Sequence, residues 1–221
     1  MKPELLAVYV ILDPDHCRGR SLPDLARQAV QGGATVIQLR AEGRTTYEQL
    51  SLAQALRAVT RALHVPLIIN DRVDVALAVE ADGVHVGHAG VEDMPPDVAR
   101  RLLGPQAIIG VSVATPAEAV TTARLGADYF SIGPIYSTAT KGDAGPAVGL
   151  ERLTAIRAVV TLPLCAIGSV TATNAGLAMS AGADGIAVIS AVTMAPDPTA
   201  ATRALVVAVA AARRERESTC R

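Results

Sequence analysis

The chain has almost no net charge, few cysteines and no CxxC pair. It carries 20 lysines and arginines against 21 aspartates and glutamates, a formal net charge of −1. No overall field would attract nucleic acid or an acidic membrane, so any anion has to be recognised locally. The three cysteines are widely spaced: Cys17, Cys165 and Cys220. This pattern argues against a disulfide framework and a zinc site, and a reducing compartment is expected.

Long apolar runs are also missing at the amino terminus. The run there has eight residues, Leu5 to Leu12, and Asp13 ends it. It is too short for a signal peptide of usual build and far too short to span a bilayer. We therefore expect a cytoplasmic protein with no membrane or nucleic-acid partner. Half of the residues are hydrophobic and no linker-like segment interrupts the chain, so we expect one domain over residues 1–221.

What the chain does have is one turn pattern used four times. An Ala-rich amphipathic segment is followed by a small-residue turn and a short apolar run: GGATVIQLR (from Gly32), ADGVHVG (from Ala81), GADYFSIG (from Gly126) and GADGIAVIS (from Gly182). The turn is typical of a helix end, and the run after it is typical of a buried strand. Four further apolar runs bring the predicted strands to eight; they begin at Leu5, Pro66, Ala107 and Pro163.

The spacing of these strands predicts the fold class. Strands separated by helix-length segments indicate βαβ units and a parallel sheet, and runs that are apolar on both faces indicate helices on both sides. Eight such units in 221 residues predict an α/β fold, a (β/α)8 TIM barrel slightly shorter than the usual ~250 residues. An open doubly wound sheet is the alternative. The Ala- and Arg-rich end, residues 199–221, predicts a last helix.

Polar residues gather where the predicted strands end, which is where the chemistry of a TIM barrel lies. From the second strand to the loop after the sixth, these residues are Gln38, Arg40, Asn70, Asp71, Asp93, Ser112, Thr138, Thr140 and Lys141. Carboxylates beside cations fit a Mg²⁺ ion that is held by one or two carboxylates and by phosphate oxygens that the cations also contact. This side of the rim therefore predicts a diphosphate site.

The other side of the rim predicts a site for a single phosphate. Gly168-Ser169 and Ile189-Ser190 follow the seventh and eighth strands, where backbone N–H groups commonly cradle phosphate in this fold. Lys141 is one of only two lysines in a chain that otherwise uses arginine. This choice suggests that a compact ammonium group is needed in the glycine-rich loop after the sixth strand.

Each of these residues also has an ordinary structural interpretation. Asp71 and Asp93 each precede a predicted helix and could cap it. Arg40 could pair with Glu42, and the threonines could be plain loop hydroxyls. His85 alternates with valines, which predicts a place inside the barrel rather than an acid–base role. Only the convergence of these residues on one rim favours a site.

Several longer motifs are spread over most of the chain. They are IQLR (37–40), PLIINDRVDVALAV (66–79), ADGVHVG (81–87), IIGVS (108–112), GPIYSTATKGDAG (133–145), AIGSV (166–170) and GADGIAVISA (182–191). With these motifs the chain closely resembles the thiamine phosphate synthase family. The combination of INDR with TATK is highly specific, whereas either one alone is weak.

The resemblance implies an activity and a role for each matching residue. The family joins a hydroxymethylpyrimidine diphosphate to a thiazole phosphate by a dissociative, Mg²⁺-assisted reaction that releases diphosphate and gives thiamine phosphate. By position, Mg²⁺ would be held by Asp71 and Asp93. The pyrimidine diphosphate would be bound by Gln38, Arg40, Asn70, Ser112 and Lys141, with Arg40, Ser112 and Lys141 catalytic. The thiazole phosphate would be bound by Thr138, Thr140, Gly168, Ile189 and Ser190.

The chain departs from the family pattern in three places. Glu42 stands where the family usually has a lysine, and Arg44 is a candidate to replace that charge. The segment before Asp93 is longer than usual, so Glu92 stays an alternative metal ligand. Gly168-Ser169 replaces a frequent Gly-Gly pair, which is harmless if only backbone amides bind the phosphate.

Two other functions remain open at this level. The related thiazole tautomerase shares the barrel and the phosphate cradle, but it needs an acid–base group, typically histidine, near the end of the sixth strand, where this chain has TATK. A non-catalytic phosphate-binding barrel is kept open by Glu42. Family members are commonly oligomeric, which leaves a homo-oligomer open, and no residue pattern identifies an interface.

Overall fold

Eight parallel strands close into a barrel in the computed structural model of the chain, which describes residues 2–88, 94–137 and 146–219. Each strand pairs with its neighbours in sequence, and β8 pairs with β1, with Tyr9 opposite Ala187. The predicted (β/α)8 barrel is confirmed, and the open doubly wound sheet is wrong because the first and last strands pair. The strands are β1 (Val8–Leu12), β2 (Val36–Leu39), β3 (Leu67–Asn70), β4 (Gly83–His88), β5 (Ile108–Ser112), β6 (Tyr129–Ile132), β7 (Leu164–Ile167) and β8 (Gly185–Val188).

Helices alternate with these strands and cover the outside of the barrel. In the described parts of the chain they are α1 (Leu22–Gln31), α2 (Thr46–Ala62), α3 (Val73–Ala78), α4 (Pro96–Leu103), α5 (Pro116–Ala123), α6 (Gly149–Arg157), α7 (Ala175–Ser180), α8 (Ser190–Thr193) and α9 (Pro198–Thr219). The α2 start shows a capping box, because Thr45 Oγ1 accepts from the Glu48 amide and Glu48 accepts from the Thr45 amide. None of the described helices has the length and apolar character needed to cross a bilayer.

The first predicted strand begins later than its apolar run suggests. Leu5 and Leu6 lie in a short 3-10 helix, Pro3–Leu6, and β1 begins only at Val8. Leu6 is nevertheless fully buried, and a Cβ added at Gly185 would lie 1.7 Å from its carbonyl oxygen. The run is apolar to its start because this turn packs against the barrel and not because all of it is strand.

The buried residues form two separate cores. The larger one lies between the sheet and the helices, and Leu25, Leu56 and Leu153 are fully buried there. The smaller one fills the barrel and consists of Leu6, Tyr9, Ile11, Val36, Ile68, Tyr129, Cys165 and Ala187. Because strand side chains alternate between faces, the same strands supply both cores. Few apolar side chains lie inside the barrel, which leaves room for polar ones near the rim.

A repeated aspartate contact ties helices to strands at the amino end of the barrel. Asp82, Asp128 and Asp184 each lie one residue before an even-numbered strand. Each accepts from the backbone amide of the preceding odd strand at 2.8–3.0 Å and from an arginine of the preceding even-numbered helix at 2.6–3.0 Å. Thr35 takes the corresponding place before β2, and its Oγ1 lies 3.1 Å from the Val8 amide. The fourfold turn pattern of the sequence is thus a repeated structural unit.

Candidate active site

The carboxyl ends of the strands surround one cavity of about 240 Å³. Seven of the residues predicted for the site line it: Gln38, Arg40, Asn70, Ser112, Gly168, Ile189 and Ser190. They come from the ends of β2, β3, β5, β7 and β8, which are far apart in sequence but end at the same rim of the closed barrel. The prediction that these residues converge on one rim is therefore correct for every one of them.

Arg40 is held by a buried partner, Asp13, that was not predicted from the sequence. Its Nε and Nη2 donate to Asp13 Oδ2 at 2.9 and 2.7 Å, and both residues are buried. The Asp15 amide donates to the other Asp13 oxygen at 2.8 Å, which fixes the carboxylate in turn. The predicted alternative, a pair with Glu42, is wrong because Asp13 follows β1 directly beside the end of β2. The pair with Asp13 uses two of the five N–H donors of the Arg40 guanidinium group.

The charge next to Arg40 differs from the one that the resemblance implies. Glu42 is among the cavity-lining residues, whereas Arg44 is not. Arg44 instead forms an ion pair with Asp15 through Nη2. Arg44 therefore does not replace the lysine that Glu42 displaces, and Arg40 is the cation that lines the cavity among the described residues.

Asp71 lies at the end of β3, beside the cavity but not among the residues that line it. Asn70 Nδ2 donates to Asp71 Oδ2 at 2.5 Å, and the Asp71 backbone has φ +57°, in the left-handed region. Helix α3 begins after Arg72 with no side-chain cap, so the capping interpretation of Asp71 is wrong. Residues in this region of φ often lie at functional sites, and aspartate tolerates it better than most.

The donor set near Asp71 fits Mg²⁺ only in part. The described residues contain no cluster of three or more His, Cys, Asp or Glu side chains that could hold a metal. Mg²⁺, however, needs only one or two carboxylates when substrate phosphates supply further oxygens. Asp71 offers one such carboxylate at the correct rim.

A chain of hydrogen bonds crosses the inside of the barrel below the rim. Gln38 Nε2 donates to the Tyr9 hydroxyl at 2.9 Å, which lies 3.0 Å from the Tyr129 hydroxyl. The Tyr129 hydroxyl lies 3.0 Å from His85 Nδ1, and His85 Nε2 lies 3.1 Å from Ser112 Oγ. We call these five side chains the polar relay. All five line the cavity, so the relay forms its floor and joins Gln38 on β2 to Ser112 on β5.

The two tyrosines of the polar relay stay protonated because they are buried. Loss of solvent raises the pKa of Tyr9 and of Tyr129 far above the usual value for a phenol. Gly110 makes room for this arrangement, since a Cβ there would lie 2.1 Å from Tyr129 Cζ. Burial likewise raises the pKa of the Cys165 thiol, so Cys165 is an unreactive core residue, as the sequence indicated.

Residues that follow β7 and β8 line the side of the cavity where the sequence predicts a phosphate. Gly168 has φ +100°, and a Cβ there would lie 2.5 Å from Pro134 Cα, so only glycine fits. Ser169 follows with φ +51°, which explains why a second glycine suits this position. Beside them, after the neighbouring strand β8, Ile189 precedes the short helix α8, and Ser190 is its first residue. This is the place where TIM barrels commonly bind a phosphate with backbone amides.

Four of the predicted site residues lie outside the described residues: Thr138, Thr140, Lys141 and Asp93, together with the alternative ligand Glu92. Conversely, Asp13, Tyr9 and Tyr129 take part in the site but were not predicted from the sequence. Asp13 carried a signal, because it follows the first predicted strand as Arg40 follows the second. Tyr9 and Tyr129 carried no such signal, because a tyrosine inside an apolar strand is predicted to be a core residue.

The sequence matches the family model described as thiamine monophosphate synthase over residues 8–192. The chain belongs to the thiamine monophosphate synthase family. A thiamine-phosphate synthase of Roseiflexus castenholzii is 52% identical over 198 residues, 90% of this chain and 86% of the relative. One from Chloroflexus aurantiacus is 50% identical over 198 residues, 90% of each chain.

The structural comparison agrees with the family. The solved thiamine phosphate pyrophosphorylase of Pyrococcus furiosus superposes with a TM-score of 0.84 at 40% identity, covering 95% of this chain and 98% of that one. A 3-hexulose-6-phosphate synthase reaches a TM-score of 0.67 at 19% identity over 91% of this chain and 99% of that chain, which shows the shared barrel alone. The chain is thus a transferase of the thiamine monophosphate synthase family, and the predicted family membership is confirmed.

Proposed function

We propose that the enzyme joins 4-amino-2-methyl-5-(diphosphooxymethyl)pyrimidine to a thiazole phosphate, releasing diphosphate and forming thiamine phosphate. The observation that carries this proposal is that two different groups of residues line one cavity. One group is Arg40, Asn70 and Ser112, and the other is Gly168, Ile189 and Ser190. Two phosphorylated substrates that meet in one cavity need this division.

The reaction would begin with breakage of the bond between the pyrimidine methylene and the diphosphate oxygen. The bonding electrons leave with diphosphate, and a cation remains on the methylene, stabilised by the electron-rich aminopyrimidine. The lone pair of the thiazole nitrogen then forms the new C–N bond. No side-chain nucleophile is needed, which agrees with a floor made of hydrogen-bonding groups rather than a catalytic triad.

The protein's part in this mechanism is to bind charge and to position the substrates. Arg40, fixed by Asp13, and Ser112 would bind the departing diphosphate, and Lys141 would add a second cation from its loop. Preorganised donors at a developing charge are usually the largest catalytic term, and removal of one costs ~3 kcal/mol. On the other side, Thr138 and Thr140 would contact the thiazole phosphate, and the backbone at Gly168 and Ser190 its phosphate.

Mg²⁺ would be held by Asp71 and Asp93, with Glu92 as the alternative to Asp93. When bound, the ion would neutralise negative charge on the diphosphate as it leaves. Glu42, a carboxylate at the place of an expected lysine, makes this neutralisation more important here.

A coupled turnover assay with Lys141→Ala tests the proposal. Both substrates are supplied with and without Mg²⁺, and diphosphate and thiamine phosphate are measured together. We expect both products in equal amounts, no turnover without metal, and a loss of about 100-fold in kcat for Lys141→Ala. Lys2→Ala, which changes the only other lysine, at the exposed amino end, is the matched control and should keep full activity.

Two results would contradict the proposal. Binding or isomerisation of a thiazole phosphate without coupling to the pyrimidine would support the proposed site for the thiazole phosphate. It would reject the proposed site for the diphosphate. Full activity without Mg²⁺ would reject only the proposal that Asp71 and Asp93 are metal ligands.

A further inference from the structure

The polar relay connects the two places where the pyrimidine diphosphate would be recognised. Gln38 is at one end and Ser112 at the other, with Tyr9, Tyr129 and His85 between them. The connection is unbroken, with four contacts of 2.9–3.1 Å between side chains of five different strands. Tyr9 and Tyr129 are almost completely buried, so water cannot easily replace a missing link.

The number of hydrogens in the polar relay makes its hydrogen bonds run in one common direction, and two opposite directions are available to it. Each tyrosine has one hydroxyl hydrogen, and a neutral imidazole has one N–H. With Gln38 Nε2 donating to Tyr9, Tyr9 donates to Tyr129, and Tyr129 donates to His85 Nδ1. The ring hydrogen is then on Nε2 and is donated to Ser112. Ser112 keeps its own hydrogen for a ligand, and Gln38 offers its Oε1 as an acceptor.

For a neutral imidazole, the opposite direction is the other arrangement that uses every link and also gives each tyrosine hydroxyl hydrogen an acceptor within the polar relay. If the Gln38 amide turns over, its Oε1 accepts from Tyr9, and every later bond reverses. His85 then has its hydrogen on Nδ1, and Ser112 donates its hydrogen to Nε2. In this state Gln38 offers an N–H to the cavity, and Ser112 has no hydrogen left for an anion.

We propose that the polar relay acts as one directional unit, in which Tyr9, Tyr129 and His85 are positioning residues that couple Gln38 to Ser112. This inference rests on the proposed function. The amino group of the pyrimidine donates and needs an acceptor at Gln38, while the diphosphate accepts and needs a donor at Ser112. Both demands select the same direction. A pyrimidine with a carbonyl in place of the amino group would select the reverse, and Ser112 would fail at the diphosphate.

Gln38→Glu tests the coupling because it forces the reverse direction. A carboxylate still accepts from the amino group, but it has no hydrogen for Tyr9, so Tyr9 must donate to it. In the unaltered chain, Ser112→Ala should lower kcat/KM for the pyrimidine diphosphate about 10- to 100-fold. In the Gln38→Glu background, Ser112→Ala should lower kcat/KM for the pyrimidine diphosphate less than about twofold. An equal loss in both backgrounds overturns the proposal.

Tyr129→Phe cuts the polar relay in the middle and should abolish the coupling. In the Tyr129→Phe background, Ser112→Ala should lower kcat/KM by the same factor whether or not Gln38→Glu is also present. Tyr136→Phe is the matched control, since the buried Tyr136 hydroxyl has no hydrogen-bond partner among the described residues. It should leave the coupling unchanged. Coupling that persists in Tyr129→Phe would show that it does not pass through the relay.

The tautomer of His85 gives a readout that does not depend on turnover. The chain has four histidines, so nitrogen NMR of ¹⁵N-histidine-labelled protein is tractable, and His85→Asn assigns the signal. We expect the hydrogen on Nε2 in the unaltered chain and on Nδ1 in Gln38→Glu. The same tautomer in both proteins rejects the relay. Absence of turnover in the unaltered chain would instead reject the proposed function, and the tautomer would still decide on the relay.

Discussion

Single residues in this barrel are constrained by burial more than by their place in a motif. Tyr9 and Tyr129 lie in strands as apolar residues do, yet their hydroxyls meet 3.0 Å apart in the middle of the barrel. The hydroxyls tolerate burial because each has hydrogen-bond partners within the polar relay. The same burial makes their ionised forms unfavourable, and this has a consequence for stability at alkaline pH.

We expect the free energy of unfolding to fall as the pH rises above the unfolded pKa of tyrosine, ~10. The pKa of Tyr9 and of Tyr129 is raised in the folded protein, so only the unfolded chain loses these protons there. The stabilisation is therefore complete below ~10 and is lost as pH increases further. Denaturant unfolding at several alkaline pH values measures this, and Tyr9→Phe or Tyr129→Phe should flatten the dependence.

Phenolate absorbance supplies the check on this prediction. Neither phenylalanine variant should change the absorbance titration while circular dichroism still shows a folded protein. If replacing Tyr9 or Tyr129 lowered the phenolate absorbance in the pH range where the protein is folded, that tyrosine would not be protonated there, and the prediction would be wrong.

At the scale of the element, the aspartates before the even strands fix each helix to the sheet. Asp128 is typical: it accepts from the Ile109 amide at 2.8 Å and from Arg100 Nη2 at 2.6 Å. Arg100 also donates to backbone carbonyls, including that of Ala107, so the amide is the group that depends most on the aspartate. These contacts lie at the end of the barrel opposite the cavity, where residues serve stability rather than chemistry.

Asp128→Ala should destabilise the protein by roughly 1–3 kcal/mol, since it leaves the Ile109 amide without its acceptor. KM should be unchanged, because the contact is at the other end of the barrel. Asp24→Ala is the control: Asp24 pairs with Arg27, both are more than half exposed, and under about 1 kcal/mol is expected. Equal losses in chemical denaturation of the two variants would show that the aspartate unit has no special role.

At the scale of the whole molecule, α9 covers the place where the barrel closes. Thr202, Leu205 and Val209 are buried on it. A Cβ added at Gly32 would lie 2.5 Å from Thr202 Cβ, so the end of α1 touches this helix closely. Farther along, Arg216 donates to the Ala183 carbonyl at 3.1 Å, and the residues after it are exposed up to residue 218.

Truncation separates the part of α9 that stabilises the barrel from the part that does not. Deletion of residues 217–221 should shift the melting temperature by less than about 2 °C. Deletion of residues 198–221 should abolish cooperative unfolding, because it exposes the apolar outside of the sheet where β8 meets β1. A cooperative transition in the shorter chain, seen by calorimetry, would contradict this role of α9.

The sequence by itself determined the fold and most of the rim. Eight apolar runs with helix-length spacing allow few topologies, and parallel strands bring their carboxyl ends to one side. Gln38, Arg40, Asn70 and Ser112 could therefore be placed together without coordinates. The boundary of β1 could not, since an apolar residue such as Leu6 is buried equally well by a turn that packs against the barrel.

Only the tertiary structure decided which side chains touch. Asp13 and Arg40 are separated by a complete βα unit, and their contact depends on the pairing of β1 with β2. The polar relay joins Tyr9 to Tyr129 across 120 residues, and a hydrophobic pattern records only that each is buried, not what its hydroxyl meets. Periodicity reports the face on which a residue lies, whereas hydrogen-bond partners depend on distances of tenths of an ångström between strands that only the closed barrel brings together.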